Sequence, residues 1–212
     1  NPEADVEGRD ACRKIAILSS IVSGRQVDFE DIYTEGITKI TAQDMRYAKE
    51  MNMVIKLLAT MKQEDGTIGA IVAPFLLHSE HPLASVHGVF NAIFVRGTAL
   101  GDSMFYGSAA GKMPTASAVT ADIVEAARYQ DRTICEYWSG NKMELKSRMD
   151  VKRKFFIRMA GRKEAYADRI REAFGEVQYL TADGCEGEFA FVTGEIKEGE
   201  YESAAAEFGN LI

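Results

Sequence analysis

Apolar positions recur at helical spacing close to the start of the chain, with polar residues between them. This pattern predicts an amphipathic helix from about Asp10 to Val22 that ends at Gly24; its apolar positions include Ala11, Ile15 and Leu18. Residues 28–36 are predicted to form a loop or a short irregular helix. The segment Thr41-Ala-Gln-Asp44 has the spacing of a helix cap and predicts a second, short helix that ends near Met51.

Longer apolar runs farther along the chain indicate β-strands. Residues 53–61 and 70–77 form two such runs, and Glu64-Asp-Gly66 between them is typical of a hairpin turn. Two further strands are predicted over 92–95 and 103–106. A helix is then predicted from Pro114 to about Tyr129, with the proline at its first position. Strands flanked by helices predict an α+β architecture with a mostly antiparallel sheet covered by helices.

The pattern changes in the last third of the chain. Residues 131–150 are polar and helix-prone, and we interpret them as a connector that includes the domain boundary. Five elements are predicted after it, in the order strand, helix, strand, strand, helix: 154–159, 163–174, 177–181, 188–194 and 199–208.

Composition narrows the classes of function. Hydrophobic residues make up 46% and charged residues 27% of the 212 residues, which is ordinary for a globular protein. The net charge of −7 argues against a nucleic-acid partner, which needs a basic face. No apolar run approaches the ~18 residues of a membrane span, so we expect no membrane partner. The three cysteines are scattered without a Cys-x-x-Cys motif, which favours a reducing, cytoplasmic compartment over disulfides or zinc.

Three groups of residues could carry chemistry. Asp10 and Lys14 are four positions apart and share one helix face, although on the spacing alone a surface ion pair is the favoured explanation. The small-residue loop 107–111 leaves its backbone open to a ligand at a helix start, or else allows close packing. The histidines suggest a metal site only if a third ligand joins them, and we predict no metal there; they are His78, His81 and His87.

Several of these segments together resemble the substrate domain of homoserine dehydrogenase over about residues 3–130. The resemblance is carried by the segments Asp5–Leu18, His81-Pro-Leu-Ala84, Gly88–Val95, Gly101-Asp102 and Gly107–Thr115. It implies reversible hydride transfer between NAD(P)H and L-aspartate 4-semialdehyde, which gives L-homoserine for threonine, methionine and isoleucine biosynthesis.

The resemblance also implies roles for individual residues. Lys14 would act as the general acid, Asp10 would orient it and the substrate, and Asp5 would bind substrate. For Asp5 the alternative is a role as an N-terminal cap or loop residue. Gly111, Ala110 and Thr115 would lie along the NAD(P) cofactor. The family's usual loop is Gly-x-Gly-Ala-Gly, and in this sequence Ala109 replaces the middle glycine.

From about residue 150 onward the chain resembles an ACT domain, a small amino-acid-sensing module. The predicted βαββα order is one strand short of the ferredoxin-like βαββαβ of that module. The implied domains are residues 1–138 for substrate binding, catalysis and dimerisation, a linker over 139–152, and an ACT-like regulatory domain over 153–212. Threonine is the implied effector, although the usual Asp-x-Pro-Gly loop is replaced by Met159–Lys163.

One domain of the enzyme family, the nucleotide-binding domain, has no counterpart in this sequence. No Gly-x-Gly-x-x-Gly fingerprint follows a strand in this sequence, so the nucleotide-binding domain, with its site for a monovalent cation, is absent from it. We therefore expect a piece of a longer protein, inactive alone, that forms a homodimer or a higher oligomer. The alternative is a non-catalytic amino-acid-sensing or dimerisation module.

Overall fold

A computed structural model describes residues 3–108, 111–132 and 138–209 of the chain. The chain divides into two compact units. The first consists of residues 1–76 and 138–212, and the second of residues 77–137. The second unit is therefore inserted, in sequence, between the two parts of the first. The predicted domains, residues 1–138 and 153–212, are modules defined by resemblance to a family, whereas these units are defined by compactness. The predicted domain boundaries therefore stay a prediction.

The N-terminal part of the first unit begins with helices α1 (Glu3–Val6) and α2 (Arg9–Ser23). The prediction of α2 is confirmed, and Gly24 ends the helix in the left-handed region at φ 65°. The helix buries one face against the sheet that follows, as its apolar spacing requires; the buried residues are Cys12, Ile15, Ala16, Ser19 and Ser20.

Short strands and one capped helix follow α2. Strand β1 (Arg25–Gln26), a single 3-10 turn at Phe29–Asp31 and strand β2 (Tyr33–Thr34) precede helix α3 (Ala42–Glu50). The predicted cap of α3 is confirmed: the Asp44 amide donates to Thr41 Oγ1, and the Thr41 amide donates to Asp44 Oδ2 at 2.7 Å.

Strands β3 (Met53–Glu64) and β4 (Thr67–His78) form the long hairpin that the apolar runs predict. Asp65 and Gly66 both have positive φ, at 49° and 77°, as a two-residue type I′ turn needs. Strand β4 lies between β3 and β2, and β2 pairs with it in parallel. The core between this sheet and α2 is made of Cys12, Ile15, Ala16, Val27, Ile32, Ile68, Val72 and Met143.

The second unit contains an antiparallel hairpin and a helix. Strands β5 (Phe90–Gly97) and β6 (Gly101–Ser108) pair from end to end, and the Arg96 guanidinium donates to both carboxylate oxygens of Asp102. Helix α4 (Lys112–Arg128) has no buried residue. It begins two residues before the predicted start, so Pro114 is its third residue; proline is tolerated there because the first-turn amides have no intrahelical partner.

The connector after the second unit is not helical where it is described. Residues Ser139–Lys142 form strand β7, which pairs in parallel with β1, and Arg148–Asp150 form a 3-10 turn. The expectation of a helix-prone connector is therefore wrong for these residues. The cause is tertiary: Met143 is buried in the α2 core, and the Met143 amide donates to Gln26 O at 2.7 Å.

The C-terminal part of the first unit reproduces the predicted order of elements. It contains β8 (Lys152–Arg153), β9 (Phe156–Ala160), α5 (Lys163–Phe174), β10 (Val177–Leu180), β11 (Glu188–Thr193), β12 (Ile196–Lys197) and α6 (Glu198–Ala206). Strand β11 lies between β10 and β9 and is antiparallel to both. The two very short strands β8 and β12 pair with each other and are additional to the prediction.

Helices cover one face of this sheet, and α3 contacts the other. The helix-covered core is made of Ile157, Met159, Ile170, Phe174, Phe189, Phe191, Ala204 and Phe208. On the opposite face, Tyr47 of α3 is fully buried with Cys185, Ala190 and Phe156. The mixed helix-and-sheet class is thus confirmed, with the described strands distributed over five small sheets. Within the described ranges, no helix is long and apolar enough to cross a membrane.

Candidate functional site

The predicted substrate residues lie at the corner where α1 meets α2. Gly8 turns the chain there in the left-handed region at φ 74°, and the Gly8 carbonyl accepts the Cys12 amide at 2.8 Å. A Cβ at Gly8 would lie 2.9 Å from Val72 Cγ1, so close contact with β4 also requires glycine. The corner is therefore held by backbone geometry and by the sheet beneath it.

Asp10 and Lys14 are brought together on the outward face of α2. Lys14 Nζ lies 2.5 Å from Asp10 Oδ2, and the two side chains are 61% and 47% exposed, respectively. Ile15 and Ala16 point to the opposite face and are buried. Because an exposed i,i+4 pair contributes only about 0.3–0.5 kcal/mol, the fold does not depend on it. The pair is accessible to a ligand that carries a carbonyl or hydroxyl group.

Asp5 lies in the same region, one helix earlier. It belongs to the single turn of α1 and is exposed, and its backbone carbonyl accepts the Gly8 amide at 3.1 Å. A helix-capping role, which the sequence left open, does not apply, because Asp5 lies inside α1. Its carboxylate is free of that duty and faces solvent on the corner that also begins α2.

The residues predicted to contact the cofactor lie in the second unit. Gly111 precedes α4 at φ 113°, and no side chain caps the helix there. Among the described residues, the atom nearest to a Cβ built at Gly111 is Pro114 Cδ, at 3.7 Å. The Thr115 hydroxyl donates to Gly111 O at 3.0 Å and so fixes the first turn. Ala109 and Ala110 lie outside the described residues.

These features fit the polar groups of a nicotinamide cofactor. A glycine followed by an uncapped helix start presents backbone amides that an anionic or amide-bearing ligand can approach. Gly111 and Thr115 are thus suited to hold such a group. The Asp10–Lys14 pair belongs to the first compact unit and this loop to the second.

The histidines have local roles where the structure describes them. His81 Nδ1 accepts the Leu83 amide at 3.1 Å and caps a 3-10 turn, and His78 lies 3.8 Å from Glu80. In the described ranges, no group of three His, Cys, Asp or Glu side chains is placed to hold a metal ion.

Two grooves have walls that include none of the predicted residues. One of about 640 Å³ in the first unit has an acidic side at Glu30 and Asp31 and a basic side at Lys142, Lys146 and Arg148. The other, of about 710 Å³, runs along α4 from Met113 to Tyr129. Sequence analysis missed both grooves, because their walls join residues far apart in the sequence or follow one exposed helix face.

One contact of the α1–α2 corner was also missed. Thr38 Oγ1 donates to Glu7 Oε1 at 2.9 Å, and the Ile37 amide donates to Val6 O at 2.8 Å. Gly36, just before Ile37, is the residue that could have indicated this contact. A glycine outside a predicted turn often marks a place where two backbone segments approach closely.

Comparison with known proteins gives the family. Residues 1–124, more than half of the chain, match the family model described as homoserine dehydrogenase. The homoserine dehydrogenase of Corynebacterium glutamicum is 51% identical over 133 residues, which cover 60% of this chain and 30% of that protein. That of Synechocystis is 35% identical over 234 aligned residues, covering the whole chain and 53% of that protein.

A solved structure supports the same assignment. The homoserine dehydrogenase of Thiobacillus denitrificans superposes with a TM-score of 0.86 at 31% identity, covering all of this chain and 52% of that one. The chain belongs to the homoserine dehydrogenase family, a family of oxidoreductases. It spans about half the length of this structure and of the Synechocystis protein, and about a third of the Corynebacterium protein.

Proposed function

We propose that this chain supplies the substrate-binding and proton-transferring part of a homoserine dehydrogenase. The observation that carries the proposal is the exposed Asp10–Lys14 pair on α2, inside the 124 residues that match the family. The proposed reaction interconverts L-homoserine and L-aspartate 4-semialdehyde with NAD(P). We assign neither the choice between NAD and NADP nor a monovalent-cation site to residues of this chain.

Lys14 has the chemistry that carbonyl reduction requires. The nicotinamide cofactor, when bound, supplies the hydride in one direction and accepts it in the other. Negative charge then grows on the carbonyl oxygen, and a lysine ammonium beside it stabilises that charge and donates a proton. Asp10, at 2.5 Å from Lys14 Nζ, holds the ammonium in one orientation.

Asp5 is proposed to bind the substrate ammonium group. Homoserine and aspartate semialdehyde both carry a positively charged amino group, and an exposed carboxylate is a suitable partner for it. Asp10 contributes to the same binding through its second oxygen. Gly111, Ala110 and Thr115 are proposed to contact the cofactor; for Gly111 and Thr115 the uncapped start of α4 supports this.

The test uses the full-length protein, expressed with whatever sequence precedes residue 1 in its gene. Homoserine-dependent reduction of NAD⁺ and NADP⁺ is measured for the unmodified protein, Lys14→Met and Asp10→Asn. We expect kcat/KM to fall at least ~100-fold for Lys14→Met with an unchanged circular dichroism spectrum. The 212-residue chain alone is expected to be inactive.

Lys62→Met is the matched control. Lys62 also forms an exposed pair, 2.6 Å from Glu64, but it lies near the β3–β4 turn. Its activity should stay within about twofold of the unmodified protein, since exposed pairs contribute little to stability. An inactive full-length protein contradicts the dehydrogenase proposal. An active Lys14→Met variant contradicts only the role of Lys14.

We further propose that the C-terminal part is an ACT-like regulatory module that responds to an amino acid such as threonine. The order β10-β11-β9, with α5 and α6 on one face, supports a ferredoxin-like arrangement. A thermal-shift titration tests it, because a ligand that binds only the folded state raises Tm with concentration. Threonine should raise Tm and serine should not; no shift with threonine contradicts the effector proposal.

The oligomeric state is proposed from the same family resemblance, and the cellular location from the cysteines. We propose a homodimer, or a higher oligomer, formed through the sheet of the substrate domain. Sedimentation equilibrium of the full-length protein tests this, and a monomer at micromolar concentration contradicts it. We also propose a cytoplasmic location, which the free, buried thiols of Cys12 and Cys185 support.

A further inference from the structure

The segment Tyr33–Thr38 connects the α1–α2 corner to the rest of the first unit. At its C-terminal end, the Ile37 amide donates to Val6 O and the Thr38 hydroxyl donates to Glu7 Oε1. In its middle, the Glu35 amide donates to Val72 O of β4 at 2.8 Å. The corner that carries Asp5 and begins α2 is therefore attached to the sheet through this segment.

Gly36 is required by space and not by conformation. Its φ is not in the left-handed region, so alanine could adopt its backbone geometry. A Cβ there, however, would lie 2.5 Å from Val6 O and 2.6 Å from Glu7 Cα, both backbone atoms that cannot swing aside. The segment and the corner thus approach as closely as their backbones allow.

The other end of the segment is also held. The Arg148 guanidinium lies over the Tyr33 ring at 4.2 Å, and the Tyr33 hydroxyl donates to Glu35 Oε2 at 3.1 Å. Arg148 is in turn paired with Glu198 and Glu202 of α6. Because both ends are anchored, the segment does not yield easily when the corner is displaced.

We propose that Gly36 and Thr38 are positioning residues for the dehydrogenase reaction, acting through the corner that presents Asp5 and Asp10 to the substrate. This inference rests on the proposed function. A carboxylate displaced by about 1 Å from its productive place can cost on the order of 100-fold in rate. The Thr38–Glu7 hydrogen bond and the close approach at Gly36 fix the corner from which Asp5 is presented.

Thr38→Val and Thr38→Ser in the full-length protein test the proposal. Valine keeps the shape and removes the donor to Glu7, whereas serine restores it. We expect Thr38→Val to raise KM for homoserine by about tenfold while KM for the cofactor stays unchanged, since only the substrate residues lie on the corner. Thr38→Ser should return KM to within about twofold of the unmodified protein.

Thr67→Val is the control for the loss of one hydrogen bond. Thr67 is exposed at the β3–β4 turn, and its hydroxyl donates to Glu64 O at 2.7 Å. Equal losses of Tm with unequal KM for homoserine would support positioning. Thr38→Val and Thr67→Val with the same kinetics would overturn the inference and leave the dehydrogenase proposal intact. An inactive unmodified protein would overturn both.

Gly36→Ala gives a second, stronger perturbation. We expect it to lower kcat/KM for homoserine at least as much as Thr38→Val, because the added methyl pushes the corner away from the segment. Normal activity in a folded Gly36→Ala variant would count against the proposal, whatever its Tm.

Discussion

Substitution of Glu198 tests how much a buried ion-pair cluster contributes to the stability of the first unit. Its side chain is only 9% exposed and pairs with both Arg148 and Arg153, whose side chains are 24% and 23% exposed. Arg153 pairs with Glu198, whereas Arg148 pairs with both Glu198 and Glu202. We expect Glu198→Gln to leave the poorly solvated Arg153 guanidinium facing a neutral partner and Arg148 with Glu202 as its carboxylate partner.

The magnitude follows from that burial. Removing one partner of a buried ion pair costs about 3–5 kcal/mol, and glutamine retains an oxygen that still accepts one hydrogen bond. We therefore expect Glu198→Gln to lower the free energy of unfolding by about 2–3 kcal/mol. For a protein of this size that corresponds to a Tm lower by about 4–12 °C.

Urea unfolding of the 212-residue chain, followed by circular dichroism, measures the effect. The matched control is Glu202→Gln: Glu202 pairs with Arg148 at 2.6 Å, but its side chain is 44% exposed. An exposed partner contributes at most about 1 kcal/mol. Equal losses in the two variants, with unchanged m-values, would refute the argument from burial.

Three further predictions concern titration and turns. Burial raises the pKa of Asp44, but hydrogen bonds of its helix cap and the Arg158 guanidinium outweigh this and hold it below its usual value. Its stabilisation is therefore present above about pH 4 and is lost on acidification, and Asp44→Asn should flatten the fall in unfolding free energy between about pH 5 and 3. Burial of the ring, helped by the nearby Glu188 carboxylate, raises the pKa of Tyr47 to about 12. The phenolate absorbance of the native protein should therefore differ from that of Tyr47→Phe only above about pH 11. A difference near pH 10 would contradict this. Gly66→Ala should cost about 1 kcal/mol in urea unfolding, because φ is 77° there; the control Gly69→Ala, with ordinary contact to Lys146 Cβ at 3.9 Å, should cost less.

Local rules account for the elements that were predicted correctly. Helix α2 ends at Gly24, α3 begins at Thr41, and the β3–β4 hairpin turns at Asp65-Gly66. Each of these signals acts within about four residues, so neighbouring side chains suffice to specify it. The Asp10–Lys14 pair belongs to the same class, because four positions on a helix always bring side chains together.

Other features depend on contacts between distant residues. The pairing of β1 with β7 joins residues more than a hundred positions apart through strands of two and four residues. Strands so short show no alternating pattern, and only the assembled sheet specifies them. Glu198 and its two arginines are likewise separated by 45 and 50 positions, and each alone reads as an ordinary charged residue.

The burial of Tyr47 determines where this chain can be divided. The residue belongs to α3, but its ring packs against Phe156, Cys185 and Ala190 of the C-terminal sheet. Arg158 of that sheet also donates to Asp44 at 2.7 Å and to Thr41 at 2.6 Å. Cutting the chain between residues 139 and 152 would expose the ring and remove the Arg158 guanidinium from Thr41 and Asp44, which would leave Arg158 paired with Glu188. The C-terminal sheet therefore completes the core around α3. The N-terminal and C-terminal parts of the first unit depend on each other for burial of this surface.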